Sequence, residues 1–309
     1  MILLSGAGGF IGRTLRKRLV ASGHHVLALT HGESFVSGVG EISLDLGDPK
    51  HHERLMDSGS RCSTLIHLAG RISIQLAPAT DEDVRPRAVA EELASLYQDN
   101  LIMTVRLIEF AQKTDIRHVL FASSQTVYGL PKTSLVAEDA LLAPLEHYAA
   151  SKVACETALA LWARGCRRRV TVLRFPGVWG EERHSGIVYS LCEQAINSGR
   201  VRVGANYPLP LDVLHRDDVI SAFEAALNRT GENWRVYNVA TGELCSVTRL
   251  GSEVTELVPG CVLETFGVPQ PDMAMDAARA AAELGWRARP RRERLARFVA
   301  QLRQEAGHA

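Results

Sequence analysis

The chain has 309 residues, 46% hydrophobic and 23% charged, a balance and length that allow one large domain with a sizeable core and a smaller companion. Lys+Arg and Asp+Glu both count 35, and the formal net charge of zero excludes a global field that would recruit nucleic acid or an anionic membrane. No stretch approaches the roughly 18 apolar residues of a membrane span, and the apolar start at residues 1–4 is too short for a secretion signal, so a cytoplasmic protein without membrane or nucleic-acid partners is expected.

In chain order, residues 2–4 read as a strand. Residues 11–21 read as a helix with Ile11, Leu15, Leu19 and Val20 on one face, Arg13, Arg16 and Lys17 mostly outside, and Gly23 ending it. Strands follow at 26–29, 42–44 and 64–68. A long amphipathic helix covers 91–113, a fifth strand 119–123, a helix 148–164, a sixth strand 170–173 and a seventh 236–239. The strands are near-continuously apolar, as expected when helices cover both sheet faces. Repeated strand–helix units predict an α/β fold with a parallel, doubly wound sheet. Its core is expected to span residues 1–180 and to be completed by about 212–240. Residues 181–211 and 241–309 form a smaller, partly helical region for substrate.

The 6 cysteines have no C-x-x-C pair and irregular spacing, which reads as reduced thiols and not as a zinc site. The doublets His24-His25 and His51-His52 lack the i, i+4 spacing of two ligands on one helix face. No metal site is expected.

The first strand runs into Gly6, Gly9 and Gly12 at three-residue intervals, and a helix follows. Glycines permit the sharp turn, let a pyrophosphate approach the backbone, and let helix and strand pack closely. The helix N-terminus then offers unpaired N–H groups to the phosphates. The second strand ends where an adenosine ribose is read. An acid there would favour NAD; Thr30 and His31 stand there instead and leave both NAD and NADP open, with the balance slightly toward NADP. Asp45, past the third strand, is placed to accept from the adenine amine.

Tyr148 and Lys152 lie at i and i+4, which puts a phenol and an ammonium on one helix face. A free tyrosine titrates near ~10 and is a poor acid–base group at neutral pH, but a lysine one turn away favours the phenolate. Lys152 can also hold the nicotinamide ribose. Ser124, just past the fifth strand at the carboxyl edge where such sheets bind ligands, can hydrogen-bond the same substrate oxygen. Tyr128 reads as packing in a turn.

Together these features resemble the extended short-chain dehydrogenase/reductase family, the group of NAD(P)-dependent sugar-nucleotide epimerases, dehydratases and ketoreductases. The markers, in order, are S-G-A-G-G-F-I-G at 5–12, L-D-L at 44–46, H-L-A-G at 67–70, N-L-I-M-T at 100–104, S-S-Q-T-V-Y-G at 123–129, Y-A-A-S-K at 148–152, L-R-F-P-G-V-W-G at 173–180, D-V-L-H-R-D-D-V at 212–219, Y-N-V-A-T-G at 237–242 and E-L-G-W at 283–286. The resemblance implies a Rossmann fold, a bound NAD(P), and catalysis by Ser124, Tyr148 and Lys152. It also places Phe10, Ile11, Leu46, Leu68, Ala69 and Gly70 along the cofactor, with Pro176 and Val178 near the nicotinamide. It makes Asn100 and Asp217 structural, and implies a homodimer through the helices around 91–113 and 147–164.

Departures from the family pattern narrow the reaction. Dehydratases carry an Asp-Glu pair after the catalytic hydroxyl residue; Gln125-Thr126 stand here, which argues against dehydration. Sugar-nucleotide members often have Asn where Gly177 stands and Arg where Leu211 stands, so the nucleotide handle is weakened. Gln125, Trp179, His184 and residues 71–80 are the remaining substrate candidates by chain order. The leading expectation is an NAD(P)-dependent oxidoreductase of a ketone or secondary alcohol, such as a keto-sugar nucleotide. An epimerase with tightly bound NAD uses the same residues, and a non-catalytic dinucleotide-binding regulator is the reading from another class.

Overall fold

The computed structural model describes residues 1–30, 39–43, 51–72, 92–165, 168–204, 212–268 and 271–307. Apolar runs become buried parallel strands. Strand β1 (Ile2–Ser5) and β2 (Val26–Thr30) are buried along their whole length and pair in parallel register, Ile2 opposite Val26. On its other side β1 pairs with β4 (Thr64–His67), which pairs with β5 (His118–Ser124); β3 (Val39–Ser43) lies outside β2. With β7 (Arg169–Phe175) and β11 (Trp234–Asn238), the sheet has seven strands in the order β11-β7-β5-β4-β1-β2-β3. The strand order therefore reverses at β1, and the carboxyl end of β1 is the place where such sheets open a ligand crevice.

The chain divides into two compact units. The first comprises Met1–Val127, Pro144–Leu173 and Thr230–Val236. Its core joins Leu3, Leu65, Val119, Phe121 and Val172 of the strands to Leu107, Phe110 and Leu159 of the helices α3 (Met103–Lys113) and α4 (His147–Gly165). Helix α1 (Phe10–Ala21) follows β1, and α2 (His51–Gly59) precedes β4 without having been apparent in the sequence.

The second unit comprises Tyr128–Ala143, Arg174–Arg229 and Tyr237–Ala309. Here α5 (Ile187–Ser198), α7 (Val247–Glu256) and α9 (Arg291–Glu305) bury Leu191, Leu250 and Phe298 against Val201 and Val203 of β9 (Arg200–Gly204). Strand β9 pairs with β12 (Val262–Phe266), β8 (Gly177–Trp179) with β10 (Val213–His215), and β6 (Leu135–Val136) with β13 (Ala274–Met275). Helix α6 (Arg216–Leu227) is tied to α9 by the Arg294–Asp218 ion pair at 3.0 Å.

Three local expectations change. The third strand spans Val39–Ser43, not 42–44, and Leu44 lies outside the described residues. The long helix is not continuous: residues 92–97 are helical, a π turn occupies Gln98–Ile102, and α3 follows. Arg16 is buried and not outside, consistent with a long apolar stem lying along the protein. Among the described residues no helix is long and apolar enough to cross a membrane.

Candidate active site

The site is built on the first unit, at the carboxyl ends of β1, β4 and β5. Gly6 ends β1 with φ +72°, a left-handed conformation that penalises any side chain, and a Cβ there would lie 2.6 Å from the Ala69 nitrogen. A Cβ on Gly12 would overlap the Gly6 carbonyl oxygen and meet Ala7 Cα at 2.8 Å. These glycines are therefore demanded by close packing of loop, helix and neighbouring strand. Helix α1 starts after Gly9 with no side-chain cap and no acid in its first turn. Its N-terminal N–H groups and positive dipole end suit a phosphate. Phe10 and Ile11 form that first turn and are half-buried.

Thr30 is buried at the end of β2, and its Cγ2 lies 3.9 Å from the point a Cβ on Gly8 would take, which sets Thr30 beside the glycine loop. Past β4, the Leu68 N–H donates to the Ser5 carbonyl at 3.2 Å and the Ala69 N–H to Ser5 Oγ at 3.4 Å, holding 68–70 against the same loop. A Cβ on Gly70 would meet Asn100 Oδ1 at 2.9 Å and Lys152 Nζ at 3.3 Å, so Gly70 links the cradle to α4. The residues present thus fit a dinucleotide. His31, Asp45 and Leu46 lie outside the described residues.

Glu146 caps α4: its carboxylate accepts from the Ala149 N–H at 3.1 Å. Tyr148 and Lys152 then project together. Lys152 is buried, donates from Nζ to the Ala122 carbonyl at 3.0 Å, and lies 4.9 Å from the Phe121 ring centre and 5.8 Å from that of Tyr148. Burial pulls Lys152 down, countered by the Cys155 and Glu156 side chains. The Thr126 N–H and hydroxyl both donate to Ser124 Oγ at 3.2 and 3.0 Å, and the Ser124 hydroxyl favours the ionised Tyr148 phenol. Ser124 Oγ thus accepts from Thr126. Tyr148 is half-buried, and desolvation pushes its phenol up to about 12, partly offset by Ser124, while the Glu146 carboxylate adds to the rise. Desolvation outweighs the help that Ser124 gives the phenolate.

A second layer supports these groups. His67 is fully enclosed, with Nδ1 2.7 Å from Ser5 Oγ and Nε2 3.0 Å from Thr104 Oγ1. The Thr104 hydroxyl donates to the Asn100 carbonyl at 2.6 Å, which makes Nε2 the protonated nitrogen. Burial lowers His67 to about 3, so it stays neutral. The Asn100 side chain accepts from the Arg71 N–H at 2.7 Å and donates to the Arg71 carbonyl and to Ser151 Oγ. The π turn sets Asn100 among these partners, consistent with the structural role expected of it.

Gln125 follows Ser124 and has a buried Oε1 without a hydrogen-bond partner among the described residues. The other candidates belong to the second unit. Trp179 is buried there, with its ring 5.4 Å from Phe298 and 4.9 Å from His215. Pro176 is buried; Val178 is half-buried, and its carbonyl accepts from Arg183 at 2.9 Å. His184 is exposed and stacks on Tyr189. Residues 73–80 and Leu211 lie outside the described residues. Tyr128 is a packing residue, its hydroxyl donating to Asn238 Oδ1 at 2.6 Å. Glu181, His215 and Asp217 converge, but His215 Nδ1 already accepts from the Asp217 N–H and Nε2 faces Glu181 at 3.3 Å, leaving no imidazole lone pair for a metal.

The sequence profile of the NAD dependent epimerase/dehydratase family matches residues 2–240. The chain is 28% identical over 309 residues to a UDP-glucose 4-epimerase of Mycolicibacterium smegmatis, covering 92% of each chain. It is 27% identical over 295 residues to the 4-hydroxy-2-methyl-3-oxo-4-farnesyl-3,4-dihydroquinoline-1-oxide ketoreductase of Stigmatella aurantiaca, covering 92% of this chain and 80% of that one. Among solved structures, MoeE5 in complex with UDP-glucuronic acid and NAD aligns with a TM-score of 0.78 at 27% identity, over 98% of this chain and 99% of the other.

Proposed function

The chain belongs to the NAD-dependent epimerase/dehydratase family, and on that premise we propose that it moves a hydride between nicotinamide and a secondary-alcohol carbon, with Tyr148 as the acid–base group. The observation that carries this reading is the buried Lys152, with Nζ 5.8 Å from the Tyr148 ring centre and bonded to the Ala122 carbonyl two residues before Ser124, on the unit that also holds the glycine cradle. In this proposal the pyrophosphate rests on the N-terminus of α1, Thr30 borders the adenosine ribose, and Lys152 holds the nicotinamide ribose. When bound, the cofactor supplies the hydride acceptor and, in its oxidised form, a positive charge. A positive charge beside Tyr148 favours its phenolate. Tyr148 then takes the hydroxyl proton as the carbon is oxidised and returns it as the carbon is reduced, while Ser124 holds the same oxygen.

We place 4-epimerisation of a sugar nucleotide first, because a UDP-glucose 4-epimerase matches over 92% of both chains and MoeE5 was solved with a UDP sugar acid and NAD. For the same reason NAD is proposed over NADP, against the slight balance drawn from Thr30 and His31. Gln125 and Thr126 supply neither acid nor base for eliminating water. Net reduction of a ketone is the second reading, favoured by the Stigmatella ketoreductase and by Gly177. Gly177 is exposed, and a Cβ there would make only ordinary contacts, 3.5 Å from the Asp212 carbonyl; packing does not require glycine where sugar-nucleotide members often carry Asn. The substrate-binding role of residues 181–211 and 241–309, and a cytoplasmic location, belong to the same proposal.

The two readings separate on cofactor consumption. Proton NMR of UDP-galactose incubated with protein and catalytic NAD is expected to show UDP-glucose forming without net NADH production. Absence of that conversion, together with stoichiometric loss of NADH or NADPH on a ketone, would move the assignment to the reductase.

A further inference from the structure

A line of buried polar groups that the reaction above does not use runs unbroken through the first unit, from the glycine cradle to the turn of Tyr148. Ser5, His67, Asn100, Thr104 and Ser151 are each exposed by no more than 1%. Polar groups at that depth need hydrogen-bond partners, and here they partner one another. The Ser5 hydroxyl donates to His67 Nδ1 at 2.7 Å, and His67 Nε2 donates to Thr104 Oγ1 at 3.0 Å. Thr104 donates to the Asn100 carbonyl at 2.6 Å, Asn100 Nδ2 to Ser151 Oγ at 2.9 Å, and the Ser151 hydroxyl to the Tyr148 carbonyl at 2.7 Å. The line crosses β1, β4, α3, the π turn and α4, and every link donates in the same direction. Aligned donors polarise one another, which strengthens the series. Its ends are the two ends of the site. Ser5 immediately precedes Gly6, and its Oγ accepts from the Ala69 N–H at 3.4 Å; Tyr148 shares one helical turn with Lys152. Cys155 Sγ of α4 also lies 3.3 Å from Thr104 Oγ1, a second tie from this hydroxyl to the helix.

We propose that His67 and Thr104 are positioning residues: with Ser5 and Ser151 they form a strut that fixes the separation between the glycine cradle and the Tyr148–Lys152 turn, and so the span a dinucleotide must bridge. The proposal rests on the cofactor placement given above, with the pyrophosphate on α1 and the nicotinamide ribose on Lys152. A strut of this kind matters to a ligand that reaches both of its ends. NAD does so. ADP carries only the adenosine and the pyrophosphate, and reaches the cradle alone. With the strut whole, both ends are set in advance and NAD does not bear the cost of ordering them. With the strut cut, that cost falls on NAD binding and not on ADP binding.

Calorimetric titration of the full-length protein with NAD and, separately, with ADP tests this. Thr104→Val keeps the shape of the side chain and removes the hydroxyl; Thr104→Ser keeps the hydroxyl. For Thr104→Val, NAD affinity is expected to fall on the order of tenfold, the worth of one hydrogen bond, with ADP affinity unchanged. Thr104→Ser is expected to bind both ligands as wild type does. A merely structural role would weaken both ligands alike, or lower Tm and weaken neither. Equal losses for NAD and ADP, no loss for NAD, or a Ser variant as weak as the Val variant would each overturn the proposal. So would a wild type that binds NAD no more tightly than ADP, since nothing would then bridge the two ends. If the Val variant does not fold, Ser151→Ala cuts the line at its last link before Tyr148 and is read by the same two affinities. No hydride moves in these titrations. A failure here therefore leaves the hydride-transfer reading intact, and a failure of turnover leaves these affinities standing.

Discussion

In the proposed reaction Tyr148 needs a charge beside it to work near neutral pH. Burial sets its phenol at about 12, and Ser124 offsets only part of that rise. The ultraviolet difference titration of wild type minus Tyr148→Phe is expected to show a midpoint near 12 without cofactor and a lower one with saturating oxidised NAD. An unmoved midpoint would mean that the nicotinamide does not sit beside the phenol. His67 makes a different statement, about stability. Its folded value of about 3 lies below the ordinary 6.5, so as pH falls below 6.5 the unfolded chain binds a proton that the folded protein refuses. The stability it contributes is full above 6.5 and erodes by roughly 1.4 kcal/mol per pH unit down to about 3. Asp212 tilts the other way, since burial raises it from 3.8 to about 7 and stability is lost as pH rises through that window. His67→Gln should therefore have a flatter acid limb than wild type when Tm is followed against pH, and equal limbs would refute the assignment. The placement of Ser124 at the end of β5, and of Tyr148 and Lys152 on one turn of α4, was legible from spacing and motif context. The behaviour of His67 was not legible, because it comes from burial and from partners 37 and 62 positions away in the chain.

At the scale of elements, the glycine loop is the most demanding piece of geometry. Gly12→Ala would drive its Cβ into the Gly6 carbonyl, and a Cβ has no rotamer by which to escape. Calorimetry is expected to show loss of NAD binding by at least about a hundredfold, with overpacking costing roughly 1–3 kcal/mol of stability. Gly8→Ala is the control for folding, since its nearest contact is Thr30 Cγ2 at 3.9 Å, and its Tm should stay near that of wild type. A Gly12→Ala protein that binds NAD normally would remove the close-packing argument. The loop could be read from the sequence because strand, glycine spacing and helix all lie within twelve residues. The π turn at Gln98–Ile102 could not, because a single such turn leaves the apolar period of the flanking helices nearly intact. It is stabilised by Asn100 bonding to Arg71 and Ser151, contacts that chain order does not reveal. Strands β6, β8, β10 and β13, of two or three residues each, are likewise too short to carry a period and exist through distant partners.

At the scale of the molecule, the first unit leaves Ile102, Val105 and Leu161 exposed on adjoining helices, with Leu161 at 62%. We propose that these apolar groups pack against a second copy of this chain. Light scattering of the doubly substituted Val105→Asp, Leu161→Asp protein is expected to report a monomer where wild type is a dimer; a wild-type monomer would dismiss the interface. The doubly wound sheet was legible because each buried strand is a near-continuous apolar run followed by a helix. The division into units was harder to see, since the chain passes between them within β7 and β11, where composition does not change. The central claim is that hydride leaves and returns to one carbon while Tyr148 carries the proton. Its most direct test is NMR of UDP-glucose deuterated at C4, incubated with protein and catalytic NAD. The account predicts UDP-galactose with the deuterium kept at C4, and a rate lowered roughly 10²- to 10⁴-fold by Tyr148→Phe. Solvent hydrogen at C4, no interconversion, or wild-type turnover by the Tyr148→Phe protein would contradict it.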